Sequence, residues 1–579
     1  MRDDTPFILF DDARPGGAPG RLYRNPLGEI AAHAEADVVP ALERLRGEVA
    51  KGRHVAGFLA YEAGFALDPA LAGKAPAIDG PLLWFGLFDG FERPPPLNAE
   101  GRVGPPRPRL ARDAYLAAAG RVREHLFAGD FYQTNLTFGC DVAVLGDPLG
   151  AFARLRREAL AGWGGVVRHP GGWILSLSPE QFFTIREGVV EARPMKGTEA
   201  RCADPAADEA AIERLRTDPK QRAENLMIVD LLRNDLARIA ETGSVAVPAL
   251  FEVETYPTVH QMVSRVTARL RHGFDAIDVL RTIFPCGSIT GAPKISAMLH
   301  LLELEAEPRG AYTGSMGWIE PGGDAAFNVL IRSLDLRDGQ AVARLGLGSG
   351  LVVDSVAADE WAECLLKGEY VSRAADLPDL IETMRFDPED GVVELARHLK
   401  RMQRSAHELG FKFDHHAARN ELQAATFGKK RPCSARLLLS PTGTMAIEVR
   451  PLERAADRPV EVALSPLPVA ATDARLRHKT TDRRFYDSAR AASGQFEILF
   501  TDPDGFVTEG SFTTVFVKRD GMLVTPPLAR GVLPGVLREV LIDEGRAAEG
   551  DLRAEDLAGG FFIGNMLRGL VPARLAAGG

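Results

Sequence analysis

The sequence predicts an α+β protein of two domains, with mixed or antiparallel sheets favoured over a doubly wound parallel one. Three observations predict it. The chain has 579 residues, beyond the roughly 250–300 at which a single core stops growing. Short runs rich in β-branched residues (166–167, 460–464, 513–517) interleave with helical periodicities over 223–239 and 392–409. A composition break, Arg373-Ala-Ala-Asp-Leu-Pro-Asp379, follows a helical stretch at 361–366 and precedes a strand-like run from Leu380. This places one domain at 1–372, a linker at 373–379 and a second domain at 380–579.

Taken in order, residues 55–61 and 82–88 read as strands. The proline-rich stretch from Arg93 to Pro108 is extended and cannot be helical. Too few strands precede it to close a core, so it reads as a loop inside the first domain. A helix over 114–128 follows, stopped by Gly129. No period of 20–50 residues appears, which excludes solenoids and propellers.

Composition narrows the function classes. Hydrophobic residues make up 45% and charged residues 26%, with a net charge of −10, as in ordinary globular proteins. Basic residues are scattered singly, so no nucleic-acid stripe is present. No apolar run approaches the ~18 residues that span a bilayer. The acidic start, without an apolar segment, argues against a secretory signal. Five cysteines lie far apart with no CxxC pair. They read as reduced packing thiols of a cytoplasmic protein.

The most informative segment is Glu224-Asn-Leu-Met-Ile-Val-Asp-Leu-Leu-Arg-Asn-Asp235, a helix with one apolar face. Taken alone, its charges are surface ion pairs. The alternative is that Glu224 points inward as a hard oxygen ligand for Mg²⁺. Other segments favour it. Ser178-Pro-Glu180 ends a strand at 173–177, and Arg193-Pro-Met-Lys-Gly-Thr198 follows, setting Lys196 beside a glycine that admits close backbone approach. Then come Phe284-Pro-Cys-Gly-Ser-Ile-Thr-Gly-Ala-Pro-Lys294, Arg309-Gly-Ala-Tyr-Thr-Gly314, Asn328-Val-Leu-Ile-Arg332 and Gly346-Leu-Gly-Ser-Gly350. Glu360 and Glu363 share a helix face and can complete a carboxylate set with Glu224. The residues describe a Mg²⁺-assisted site for a polyanionic small molecule, with a lysine and a glutamate available for chemistry.

Across residues 1–372 these segments resemble the chorismate-utilising family that includes anthranilate synthase and aminodeoxychorismate synthase large subunits, with antiparallel sheets and flanking helices. The resemblance implies chorismate as substrate. It makes Glu224 and Glu363 the Mg²⁺ ligands, with Glu360 supporting. Tyr312, Arg332 and the backbone of Gly348 and Gly350 become the carboxylate-binding set, and Thr198, His260 and Thr290 line the same pocket. Glu180 takes the general-acid position. Family members that add water at C2 have a basic lysine where this chain has Gln133. The anthranilate branch has alanine where this chain has Lys196, the mark of the aminodeoxychorismate branch and a suitable covalent nucleophile once desolvated. The stretch Phe7-Ile-Leu-Phe-Asp-Asp-Ala13 lacks the Glu-Ser pair that accompanies tryptophan binding in relatives.

In the second domain four segments stand out: His398-Leu-Lys-Arg-Met402, Arg477-His-Lys-Thr-Thr-Asp-Arg483, Thr501-Asp-Pro-Asp-Gly-Phe-Val-Thr-Glu-Gly-Ser511 and Gly531-Val-Leu-Pro-Gly-Val-Leu-Arg538. Together they offer a lysine, an acid and a helix-opening loop fit for phosphate, the needs of pyridoxal 5′-phosphate. They resemble the fold-type IV family of branched-chain aminotransferases and aminodeoxychorismate lyases. By that resemblance Lys479 is the Schiff-base lysine and Glu509 faces the pyridine nitrogen. Arg401 and the amides of Val536 and Leu537 hold the phosphate, and Thr383 is the proton donor to departing pyruvate.

The joint expectation is a two-step route from chorismate to 4-aminobenzoate. No glutaminase segment is visible, so ammonia would come from a separate glutamine amidotransferase subunit. The second domain leaves room for a homodimer. The other reading is an anthranilate synthase-like component fused to a fold-type IV aminotransferase.

Overall fold

The computed structural model describes residues 5–98, 100–202, 204–255, 259–452 and 459–576. Four sheets organise them. The first has ten strands and runs Gly291–Ala292, Gln133–Leu145, Val342–Leu351, Ser333–Arg337, Gly172–Ser176, Gly164–His169, Phe7–Asp11, Arg21–Arg24. The second, also of ten strands, runs Met195–Ala200, Val259–Arg269, Val189–Ala192, Gln181–Arg186, Ala325–Asn328, Ser315–Ile319, His54–Leu59, Leu83–Phe88, Gly28–Ala32, with Ala246–Thr255 on the side. The named pairings within both are antiparallel.

The two sheets face each other. Ile8, Val167 and Ile174 of the first pack on Phe58, Trp84, Met316 and Trp318 of the second. Helices cover the outer faces. Tyr115, Phe152 and Trp361 seal the first sheet, while Leu42, Ile228 and Leu280 seal the second. Strands from both sides of the proline-rich stretch share both sheets, so that stretch is an internal connection. Within it Arg102–Val103 and Arg107–Pro108 add short edges to the long Gln133–Leu145 strand.

From Leu380 onward the chain forms a four-stranded antiparallel sheet (Gly391–Val392, Leu380–Asp387, Cys433–Leu439, Met445–Pro451) and an eight-stranded mixed sheet. In the latter, Val460–Pro466 runs parallel to both Glu497–Thr501 and Gly569–Leu575. The α+β class with antiparallel and mixed sheets is therefore as the sequence predicts.

Three helix starts differ from expectation; the helix expected over 114–128 begins at Arg112. The helix carrying Glu224 is Pro219–Ala237, beginning a turn before residue 223. Asp218 caps it by accepting from Gln221 N at 2.8 Å, and Pro219 fills the first position, where no N–H is needed. The helix expected from 392 begins at Leu395, because Glu394 takes a left-handed φ of 52° after the two-residue strand Gly391–Val392. No helix among the described residues is long and apolar enough to cross a membrane.

Two candidate active sites

The first site lies over the pairing of Gln133–Leu145 with Val342–Leu351, near one end of the first sheet, where Gly350 stands opposite Asn135 and Gly348 opposite Thr137. A Cβ on Gly350 would lie 2.7 Å from Gln133 Nε2 and 3.1 Å from Lys196 Nζ. Only glycine leaves room for both side chains there. Lys196 reaches this point from the Met195–Ala200 strand, whose pairing slips between Met195 and Thr198. Gly197 has φ 91° at the slip, and a Cβ there would meet Gln221 Oε1 at 2.4 Å.

Burial pushes the half-buried Lys196 amine below its ordinary value, and Lys367 adds to this; Glu224, Glu180 and Glu363 oppose it. Glu180 is buried and accepts from Ser288 Oγ at 2.7 Å. Burial pushes its carboxyl up, against that hydrogen bond and the charges of Lys196 and Lys367. Both shifts run toward the uncharged forms, the direction that suits a nucleophile and a proton donor.

Burial also raises Glu224; Lys196 and Lys220 counter it, while Glu360 and Glu363 push it further up. Three carboxylates that repel one another suit a divalent cation held by oxygen. Their oxygens do not form a group within 4.8 Å of one another. Glu360 accepts from Ser355 Oγ at 2.7 Å. Glu363 lies on the rim, its side chain 53% exposed, and pairs with Lys367 Nζ at 2.8 Å. Desolvation raises it, but Lys367, Lys196 and Lys220 outweigh that and hold it below the ordinary value. Lys367 Nζ also donates to the Gly348 carbonyl at 2.9 Å.

The remaining residues divide. The Tyr312 ring lies flat on Gly346, where a Cβ would come within 2.0 Å of it, and burial raises its hydroxyl. Arg332 adopts φ 49°. Burial lowers its guanidinium, and the groups acting on it are Tyr370 and Arg373, neither a carboxylate. A cation so placed is available to a substrate carboxylate. Thr290 is buried and donates to the Cys286 carbonyl at 3.1 Å. Thr198 is exposed and donates to Gln261 Oε1 at 3.0 Å. His260 is fully buried, with Nε2 2.8 Å from Asp208 Oδ1 and Nδ1 3.0 Å from Thr255 Oγ1. Both its nitrogens are engaged within the protein. Ser288, quoted within the Phe284–Lys294 segment, was given no role and Asp208 went unread; each meets its partner only through tertiary folding. Lys367 was legible as an i,i+4 partner of Glu363.

The second site is a cavity of about 700 Å³ lined by Thr383, Arg401, Lys479, Tyr486, Glu509 and Val536, among others. Alternation on Leu380–Asp387 builds one wall: Ile381, Thr383 and Arg385 face the cavity. Glu382 faces away and accepts from Arg401 Nε at 2.7 Å, Arg401 Nη2 at 2.6 Å and His398 Nδ1 at 2.7 Å. Arg401 Nη1 donates to the Pro534 carbonyl at 3.0 Å, just before Val536–Asp543. That helix has no side-chain cap at Gly535, which leaves the Val536 and Leu537 amides open to an anion.

Burial pushes the Lys479 amine down to about 7; Glu382 opposes this and Arg401, Arg483 and Arg436 reinforce it. Burial pushes Glu509 up to about 7, moderated by the Tyr486 hydroxyl and by Leu533 N, which donates at 2.8 Å. A lysine of depressed pKa, a buried acid and an uncapped helix start with an arginine beside it fit pyridoxal phosphate.

Comparison with known proteins finds two families along the chain. The chorismate binding enzyme profile matches residues 5–373 and the amino-transferase class IV profile residues 379–576. Aminodeoxychorismate synthase component 1 of Klebsiella aerogenes is 44% identical over 257 residues, covering 44% of this chain and 56% of that one. Anthranilate synthase component 1 of Methanothermobacter thermautotrophicus is 37% identical over 268 residues, 46% of this chain and 57% of that one. The matches thus span little more than half the length of these relatives. The crystal structure of anthranilate synthase component I from Streptococcus pneumoniae shares the fold, with TM-score 0.54 and 24% identity over 64% of this chain and 93% of that one. The chain belongs to the chorismate binding enzyme family, carrying a class IV amino-transferase domain behind the chorismate-binding one.

Proposed function

We propose that this chain makes 4-aminobenzoate from chorismate in two steps, the first at residues 1–372 and the second at 380–579. The observation that carries the reading is the meeting of Lys196 and Gln133 over Gly350, with the buried acid Glu180 acting on the same lysine. Glutamine cannot deprotonate water, so hydration at C2 is disfavoured, while a desolvated lysine amine is a nucleophile.

In the first step Lys196 adds at C2 of chorismate as the 4-hydroxyl leaves, protonated by Glu180 as water. Ammonia then attacks C4 and the Lys196 amine departs, giving 4-amino-4-deoxychorismate. Tyr312, Arg332 and the Gly348–Gly350 backbone orient the carboxylates. Glu224 and Glu363, with Glu360, would hold Mg²⁺, which supplies charge neutralisation to the polyanion. A separate glutamine amidotransferase subunit supplies the ammonia.

In the second step Arg401 and the Val536 and Leu537 amides would hold the phosphate of pyridoxal phosphate, Lys479 would anchor the cofactor through its aldehyde, and Glu509 would serve its ring nitrogen. The bound cofactor supplies an electron sink. Lys479, when free, takes the C4 proton, and Thr383 protonates the departing pyruvate. The ring becomes aromatic.

The test is direct: purified chain with chorismate, Mg²⁺, ammonium and pyridoxal phosphate, products resolved by chromatography. 4-Aminobenzoate and pyruvate are expected in equal amounts. Anthranilate as the sole aromatic product would overturn the reading in favour of an anthranilate-type synthase.

A further inference from the structure

A cluster outside both sites has the make-up of a metal centre. His125 lies in the last turn of the Arg112–Ala128 helix, Asp130 follows Gly129, and His300 lies on Lys294–Leu304. Asp130 Oδ2 is 2.8 Å from His125 Nδ1 and 3.7 Å from His300 Nε2. One ligand atom from each residue lies within 4.8 Å of the others, the one such group of His, Cys, Asp or Glu among the described residues. The imidazole rings are 4.4 Å apart, and Phe131 walls both, at 5.9 and 5.5 Å. All three residues are half-buried.

Two features separate this group from an ordinary polar cluster. His300 Nδ1 donates to the Ser296 carbonyl at 2.8 Å. That bond fixes the tautomer and turns the Nε2 lone pair toward Asp130, as the outer partners of metal-bound histidines do. The spacing also fits. Bonds of about 2.0–2.2 Å in tetrahedral geometry set ligand atoms roughly 3.3 Å apart, and the observed separations of 2.8 and 3.7 Å bracket that value.

We propose that His125, Asp130 and His300 bind one divalent transition metal, zinc in chemical type, with a fourth position left to water. Two imidazoles and one carboxylate select a borderline cation over Mg²⁺, which takes oxygen ligands. The site is thus chemically distinct from the Glu224, Glu360 and Glu363 set. Its place gives it leverage. Ser296 Oγ donates to the Asp130 carbonyl at 2.6 Å, and Tyr132 N donates to the Ala292 carbonyl at 2.7 Å. An ion here would fasten the lead-in to Gln133 onto the short strand and helix that follow Thr290.

The test uses the full chain, stripped by chelator and titrated with Co²⁺ as a visible probe. The parent should take up one equivalent with a nitrogen-ligand spectrum, displaced by Zn²⁺ and not by millimolar Mg²⁺. His300→Leu and, separately, Asp130→Asn should lose that equivalent, since removing a direct ligand costs more than the ~10–100-fold typical of an outer-shell partner, while metal-free unfolding curves stay close to the parent's. Two variants guard against one that fails to fold. A parent that binds no Co²⁺, or folded variants that bind it as the parent does, would overturn the proposal.

Discussion

Arg102 ties the two halves of the chain together through Asp482: its Nε lies 3.2 Å from Asp482 Oδ2, and its Nη1 lies 2.6 Å from Asp376 Oδ2. Asp482 follows Lys479 by three residues. The same segment is held elsewhere too, since Arg477 donates to the Gly339 carbonyl and Ala474 packs with Ala143 and Leu145. The lysine of the second site therefore stands on a stretch braced by the first domain. Asp482 is 7% exposed, so Arg102→Ala leaves a buried carboxylate short of a partner, with Arg475 at 3.8 Å and Arg484 at 3.7 Å as remaining cations. A loss of about 1–3 kcal/mol in denaturant unfolding is expected, together with weaker cofactor retention. Unchanged values of both would show that the contact is idle.

Much of the architecture was legible from local pattern. The alternation of Leu380–Asp387 and the Gly129 helix stop, with φ 83°, both follow from residue type. The Asp218-Pro219 helix start carried a local signal too, and was passed over because the apolar periodicity begins later. What stayed hidden depends on partners distant in sequence. His260 is a pocket residue by the family resemblance, yet Asp208 engages it from 52 residues away. The acid of the second site is legible as a carboxylate, but its raised pKa comes from burial, which the hydrogen bonds from Tyr486 and Leu533 only moderate. Parallel pairing of Val460–Pro466 with Gly569–Leu575 leaves no local trace at all.

Gly350→Ala tests the meeting point of Lys196 and Gln133. The added methyl would collide with the ends of two flexible side chains rather than with backbone, so the fold should survive. Displacing the nucleophile by about 1 Å is expected to slow amination on the order of 100-fold. Conversion of supplied aminodeoxychorismate should stay at the parent rate. Parent-like amination would remove Gly350 from the site.

Glu509 gives a pH signature in the cofactor-free protein. Its folded pKa is raised to about 7 from an ordinary 4.5. The folded state therefore holds a proton that the unfolded chain releases. The stability this contributes is complete below about 4.5 and is lost as pH rises through about 7. Glu509→Gln cannot titrate, so its stability relative to the parent should climb across that window and level off above it. Denaturant midpoints at half-unit pH steps read the difference. A flat difference would place the Glu509 carboxyl at its ordinary value.

Lys479→Ala separates the two proposed reactions. The amine is pushed to about 7 by burial, so near neutral pH a large share is unprotonated and competent both to link to a carbonyl and to accept a proton. Among the pocket-lining residues it is the lone lysine, and the alanine variant leaves Arg401, Glu509 and the Val536–Asp543 helix start in place to hold the phosphate. The variant should bind cofactor without a covalent link, so dialysis should strip it faster than from the parent. Chorismate should still be consumed at the parent rate, because Lys196, Glu180 and the glutamates of the first site are untouched. Aminodeoxychorismate should then accumulate without pyruvate release, and a separately added aminodeoxychorismate lyase should restore 4-aminobenzoate. Continued release of pyruvate and 4-aminobenzoate at the parent rate would assign the elimination to some group other than Lys479.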